Sequence, residues 1–227
     1  MRMPKPPYKF EPHVHTAESS GCSAMPAKQL VRSYHAAGFD GVAITDHIHD
    51  YMLSCFKGKW DLCIDYFLKG YKKAKKHGRK LGINIILGAE LRFDRHSSDY
   101  LVYGMDEDFL RAHPFINRLT PREFFKRHGN DLLIIQAHPF RNGDMLSDPS
   151  CIHGLEVFNG NPNHSNRNGM AKAFYKAHPK LLPFSASDAH DVENVGMGWL
   201  ELEQSVADSH QFQDLVRRQE YSLGKQD

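Results

Sequence analysis

Five places in this 227-residue chain set an imidazole or a carboxylate directly behind a short apolar run: His13-Val-His15, Asp46-His47, Glu90, His138-Pro139 and Asp188-Ala-His190. Neutral imidazole and carboxylate oxygen are the donors that Zn, Mn and Fe accept. Residues i and i+2 of a strand point to one face roughly 6.6 to 7 Å apart, so His13 and His15 can chelate one ion or bracket two. The donors outnumber the three or four ligands of a single catalytic zinc, which points to a polynuclear site. Buried together without a cation, they would leave desolvated charges and unpaired lone pairs.

The chain also carries controls, since it holds 15 histidines in all. His113-Pro114 and His178-Pro179 follow helical or polar segments, so only the His-Pro pair behind LLIIQA is taken as a ligand position. His49 lies where the chain is already turning and is left unassigned. Asp208-Ser-His210 repeats the spacing of Asp188-Ala-His190 but precedes a polar amphipathic helix, and is read as surface.

What must position the donors is a set of strands whose ends meet. Apolar runs fall near residues 11–15, 41–46, 83–88, 100–104, 132–137, 154–158 and 182–187. Between them helical spacing begins at Pro26, with Leu30, Val31, Tyr34 and Ala37 on one face and Gly38 closing it, and recurs over 60–80 and 167–177. Thr120-Pro-Arg-Glu123 has the form of a capping box, so a further helix is expected from Pro121. Alternating strands and helices argue for an α/β class with parallel pairing through right-handed crossovers. Seven inner strands suggest a barrel-like fold, one strand short of the eightfold version, with its site at the carboxyl ends of the strands. Residues 1–227 are read as one domain, with 1–9 as a polyproline-like N-terminal arm and 196–227 as a terminal strand and helix extension outside the barrel.

Composition narrows the partners. Lys and Arg number 29 against 27 Asp and Glu, a net charge of +2, so the balance of charge suggests no polyanion-binding surface. The KKAKKHGRK run reads as a solvated helix face. No apolar stretch approaches the ~18 residues of a membrane helix, and the N-terminus lacks the apolar core of a signal peptide, so a cytoplasmic location is expected. Cys22, Cys55, Cys63 and Cys151 form no CxxC pair and are expected to be reduced thiols.

The motifs HVHT at 13–16, ITDH at 44–47, GAE at 88–90, AHPF at 137–140, GLEVFNG at 154–160 and SASDAH at 185–190 resemble, in order, those of the PHP family, the polymerase and histidinol phosphatase domain. The resemblance implies a distorted (β/α)7 barrel. It also implies that His13, His15, His47, Glu90, His138, Asp188 and His190 are metal ligands of a dinuclear or trinuclear centre. Two departures stand out. Many members carry a His or Asp five or six residues after the first HxH, where this chain has Gly21 and Cys22; Glu18 is expected to substitute as a ligand. Ahead of YLVYG some members place a His, whereas Ser98-Asp99 stand here, which leaves a third ion open.

Two or three divalent cations, of Zn, Mn or Fe, would acidify a bridging water enough to give hydroxide at neutral pH and would polarise a phosphoryl or carbonyl oxygen. Asp188 is the first candidate to take the proton from that water, and His190 or His15 to protonate the leaving oxygen. Asp46 is expected to hold His47 in its tautomer. Arg141 can present a planar fork to phosphate oxygens, or else pair with Asp144 at the surface. Arg92 and Asn159 are further candidate substrate contacts, though Asn before Gly also suits a turn. Glu156 is expected to pack or pair inside the barrel.

The function favoured on these grounds is a metal-dependent phosphoesterase acting on a small phosphomonoester, with histidinol phosphate or a nucleotide as candidates. Amide or ester hydrolysis on the same centre is the alternative. A PHP-type exonuclease module is disfavoured by the charge balance and by the lack of aromatic residues within the basic run. A non-catalytic metal sensor would need a closed coordination shell.

Overall fold

The computed structural model describes residues 7–141 and 146–226. The first six residues of the expected N-terminal arm, and Asp144 as a partner for Arg141, lie outside the described residues. The chain runs β1 (Tyr8–Val14), α1 (Ala27–Ala36), β2 (Gly41–Ile44), β3 (His47–Ile48), α2 (Asp50–Cys55), α3 (Trp60–Leu81), β4 (Asn84–Leu87) and β5 (Ala89–Arg92). It continues through β6 (Asp99–Tyr103), α4 (Glu107–Ala112), α5 (Pro121–His128), β7 (Leu133–Gln136), β8 (Gly154–Asn159) and α6 (Asn168–Ala177). The last elements are β9 (Leu182–Ala186), β10 (Gly198–Leu202), α7 (Ser209–Arg217) and β11 (Tyr221–Lys225).

Each apolar run foreseen as a strand is one, because these segments are buried on both faces. The helices start where the chemistry allows. Thr120 accepts from the Glu123 backbone while the Glu123 carboxylate accepts from Thr120, so both halves of the capping box form. α3 ends at Gly82 in the left-handed conformation, φ +74°, which only glycine adopts without strain.

The strands form two mixed sheets, ordered β11-β10-β1-β2-β4 and β3-β5-β6-β7-β8-β9. β2 leads into β3 and β4 into β5, and a parallel bridge between Val14 and Ala189 ties the first sheet to the end of β9. Two expectations are corrected. β6 runs antiparallel to both β5 and β7 rather than parallel. β10 does pair with β11, but it also pairs antiparallel with β1 through Tyr8–Leu202, so Tyr8 and Lys9 belong to β1 and this extension is built into the sheet.

At the amino ends of the parallel strands, α7 closes the core. Its Phe212 stacks on Phe10 at 4.8 Å and meets Tyr103 edge-on at 4.8 Å. Arg217 donates to the carbonyls of Gly129 and Leu132 ahead of β7, and Gln213 to that of Asp131. The opposite, carboxyl ends are left to polar side chains.

Candidate metal centre

His13 and His15 leave the end of β1 buried and turned inward by what holds their outer nitrogens. His13 Nδ1 donates to Glu156 at 2.8 Å; His15 Nδ1 faces the Ser20 hydroxyl at 3.4 Å, and that hydroxyl donates to Asp46 at 2.7 Å. The two Nε2 atoms then stand 3.1 Å apart. Glu90 Oε2 lies 3.4 Å from His13 Nε2, 3.1 Å from His15 Nε2 and 3.1 Å from His47 Nδ1. Asp188 Oδ1 lies 3.4 Å from both His13 and His15 Nε2. Across the cleft, His138 Nε2 approaches Glu90 Oε1 at 2.9 Å and Asp99 Oδ2 at 3.9 Å. His190 donates through Nδ1 to the Asp188 carbonyl at 2.9 Å, which leaves its Nε2 for the cleft.

These atoms fall into three groups able to hold an ion: His15, His47 and His190; His13, His15 and Glu90; and Glu90, Asp99 and His138. Ligand atoms ~2.0–2.2 Å from a common cation stand roughly 3.0–3.6 Å from one another, which is the spacing seen here. His47 Nδ1 is buried without a hydrogen-bond partner although it faces Glu90. A lone pair so placed suits a cation. His138 and Asp188 also adopt positive φ, +27° and +50°, strain that a well-determined functional site can hold.

The electrostatics agree. Burial alone would raise the Glu90 carboxyl, yet His47 and His13 hold it well below the usual range; His13, His15 and Arg141 do the same for Asp188 against its burial. Burial alone would lower His15, but Asp188 and Glu90 raise it to about 9. Asp99 moves the other way, raised by burial and by the charge of Glu90. Glu11 supports the cluster from below. Its carboxylate accepts from the His13 and Ser187 amides and the Tyr34 hydroxyl, and burial pushes it up to about 7.

The structure brings together His13, His15, His47, Glu90, His138, Asp188 and His190, and leaves Glu18 out. Glu18 Oε2 accepts from Ala27 N at 2.8 Å, at the start of α1 where Pro26 offers no side-chain cap; Lys73 approaches its other oxygen at 3.4 Å. That carboxylate caps a helix, so Glu18 is not the substitute ligand; the carboxylate that joins the donor groups is Asp99, beside Glu90 and His138, at the second departure. Asp46 does not hold the His47 ring either: it accepts from Thr16 N and Oγ1 and from Ser20. Gly70 lets α3 pass against that pair, since a Cβ there would collide with Thr16 and Asp46.

The candidate substrate contacts are largely committed to the protein itself. Arg92 clamps Asp99 through two hydrogen bonds. Asn159 accepts from Arg141 and donates to Glu156 and Asp188, which makes it a positioning residue. Arg141 donates to Asn166 and Asn159, each at 2.9 Å, and to Asp188 at 2.5 Å. It still lines a cleft of about 390 Å³ with Glu90, Asp99, His138, Asp188 and His190. The control histidines behave as expected: His113 and His178 end α4 and α6, their Nδ1 atoms on the carbonyls four residues back, and Asp208 caps α7. His49 caps α2, accepting from Met52 N.

A family model described as PHP domain matches residues 11–185. No curated protein matches the chain. Among solved structures, PsfC from Pseudomonas syringae aligns with a TM-score of 0.67 at 17% identity, over 98% of this chain and 93% of that one. A two-domain protein from Bacteroides vulgatus containing a predicted PHP-like metal-dependent phosphoesterase aligns at 0.65 and 15% identity, over 96% of this chain and 64% of its own. An amidohydrolase from Chromobacterium violaceum aligns at 0.55 and 14% identity, over 95% and 97%. At these identities the likeness concerns the fold. No helix among the described residues is long and apolar enough to cross a membrane.

Proposed function

The chain belongs to the PHP domain family, and from that premise we propose that it is a metal-dependent phosphoesterase acting on a small phosphomonoester. The two sheets are read as a distorted seven-stranded barrel, and residues 1–227 as one unit. The observation that carries the proposal is the convergence of imidazole and carboxylate donors from six strand segments at ion-ligand spacing.

His13, His15, His47, Glu90, Asp99, His138, Asp188 and His190 would hold two or three divalent cations. Such ions supply an acidified water and Lewis acidity toward a phosphoryl oxygen. The chain's own residues supply orientation. Glu156 and Ser20 fix the tautomers of His13 and His15, so that both present Nε2. Arg141, held in one plane by Asn159, Asn166 and Asp188, offers the rest of its guanidinium to the phosphoryl group along the cleft wall. Asp188 Oδ1, the oxygen not taken by Arg141, receives the proton of the attacking water. His190, whose Nδ1 stays on the Asp188 carbonyl, would hold an ion through Nε2, so the departing oxygen takes its proton back from Asp188.

The test is a panel of phosphomonoesters, nucleotides, amides, carboxylic esters and single-stranded DNA offered to protein loaded with Mn or Zn. Phosphate release from monoesters is expected, and His138→Ala is expected to lose both metal and turnover while staying folded. Turnover confined to amides, or full activity in His138→Ala, would contradict the proposal.

A further inference from the structure

A second cavity, of about 570 Å³, adjoins the metal centre and shares His47, Cys22 and Arg92 with its cleft as a common wall. The far side is built by α2 and the start of α3: Met52, Cys55, Phe56 and Tyr66, with Tyr51 at the mouth, 76% exposed. The Phe56 and Tyr66 rings pack with centroids 5.3 Å apart. No aspartate or glutamate lines the cavity, and its one permanent charge, Arg92, is turned onto Asp99. The space is of the size that small organic ligands fill, roughly 300–1,000 Å³.

We infer that this cavity receives the leaving group of the phosphoester, and that the group is uncharged, apolar and of aromatic size. The inference rests on the phosphoesterase reading. A substrate whose phosphoryl group lies among the donors beside His47 has this adjoining space for its alcohol portion. Ring and thioether side chains favour a ring there through burial and edge or face contacts. An ammonium-bearing alcohol would instead be desolvated next to Arg92 with no carboxylate to pair.

The test compares 2-phenylethyl, ethyl and 2-aminoethyl phosphate on metal-loaded protein. The phenyl ester is expected to exceed the ethyl ester in kcat/KM by about 10- to 100-fold, the range for burying a ring-sized apolar group, and the aminoethyl ester to be no better than ethyl. Cys55→Trp, which fills the cavity from an exposed position, should bring the phenyl-to-ethyl ratio close to unity, and Phe56→Ala should lower it several-fold. Ligand-observed NMR gives a readout independent of turnover: 2-phenylethanol should bind wild-type protein and not Cys55→Trp. Equal turnover of all three esters, or an unchanged ratio in Cys55→Trp, would overturn the subsite while leaving the phosphoesterase reading standing. No phosphate release from any ester, with 2-phenylethanol still bound, would overturn the phosphoesterase reading and the leaving-group assignment with it.

Discussion

His138, just past the carboxyl end of β7, and His153, just before the amino end of β8, are both largely buried imidazoles, yet their surroundings give them opposite chemistry. His138 faces Glu90 and Asp99; against the effect of burial, Glu90 and then Asp188 raise its pKa. His153 accepts from Ile134 N at 3.0 Å and packs on Phe125; burial and the Arg217 charge push it down to about 4. One end of the strands concentrates charge and strained backbone; the other pairs its polar groups with the main chain and closes over an aromatic core. Residue type alone would not separate the two. The company each residue keeps does.

The largest effect is expected at the closed end. Phe212→Ala should cost about 3–5 kcal/mol in denaturant unfolding, because it empties the space between Phe10, Tyr103 and Phe184. Metal bound per folded chain should not change; a folded variant short of metal would break the separation of the two ends. Next, Glu156→Gln should weaken metal affinity by about 10- to 100-fold in chelator competition, since the group orienting His13 loses its charge. It should also cost about 1–3 kcal/mol in stability, because an amide cannot accept at both ends from His13, the His138 amide and Asn159. Unchanged affinity would reduce Glu156 to packing.

The smallest effect concerns pH at the closed end. His153 binds its proton less readily folded than unfolded, so the stability it contributes is present above the unfolded value of 6.5 and is lost as pH falls toward about 4. His153→Asn should therefore flatten the decline of Tm across that window. Parallel Tm curves for wild type and variant would show that this imidazole is not the sensor.

Much of this contrast is legible in the sequence. Apolar runs give the strands, and a donor behind a run gives its place at the mouth. Direction was the weaker signal, and its consequence reached the site. Only six residues separate β5 from β6, too few for a crossover of a dozen or more, so β6 must return antiparallel. That reversal puts Asp99, the first residue of β6, opposite Arg92 and beside Glu90, where a parallel strand would have carried it to the other end. Glu18 failed as a ligand for an equally local reason: a helix opening on Pro26, without a capping side chain, takes its acceptor from elsewhere. The Glu156 contact to His13 spans 143 residues and has no local signature.

Glu90 contributes to two of the three donor groups, so counting ions on it tests the centre most directly. Elemental analysis of wild-type and Glu90→Gln protein, each equilibrated with Mn or Zn and freed of excess, should give two or three ions per wild-type chain and at least one fewer in the variant. A wild-type chain that holds no more than one ion, or a Glu90→Gln chain that holds as many as wild type, would contradict the shared centre.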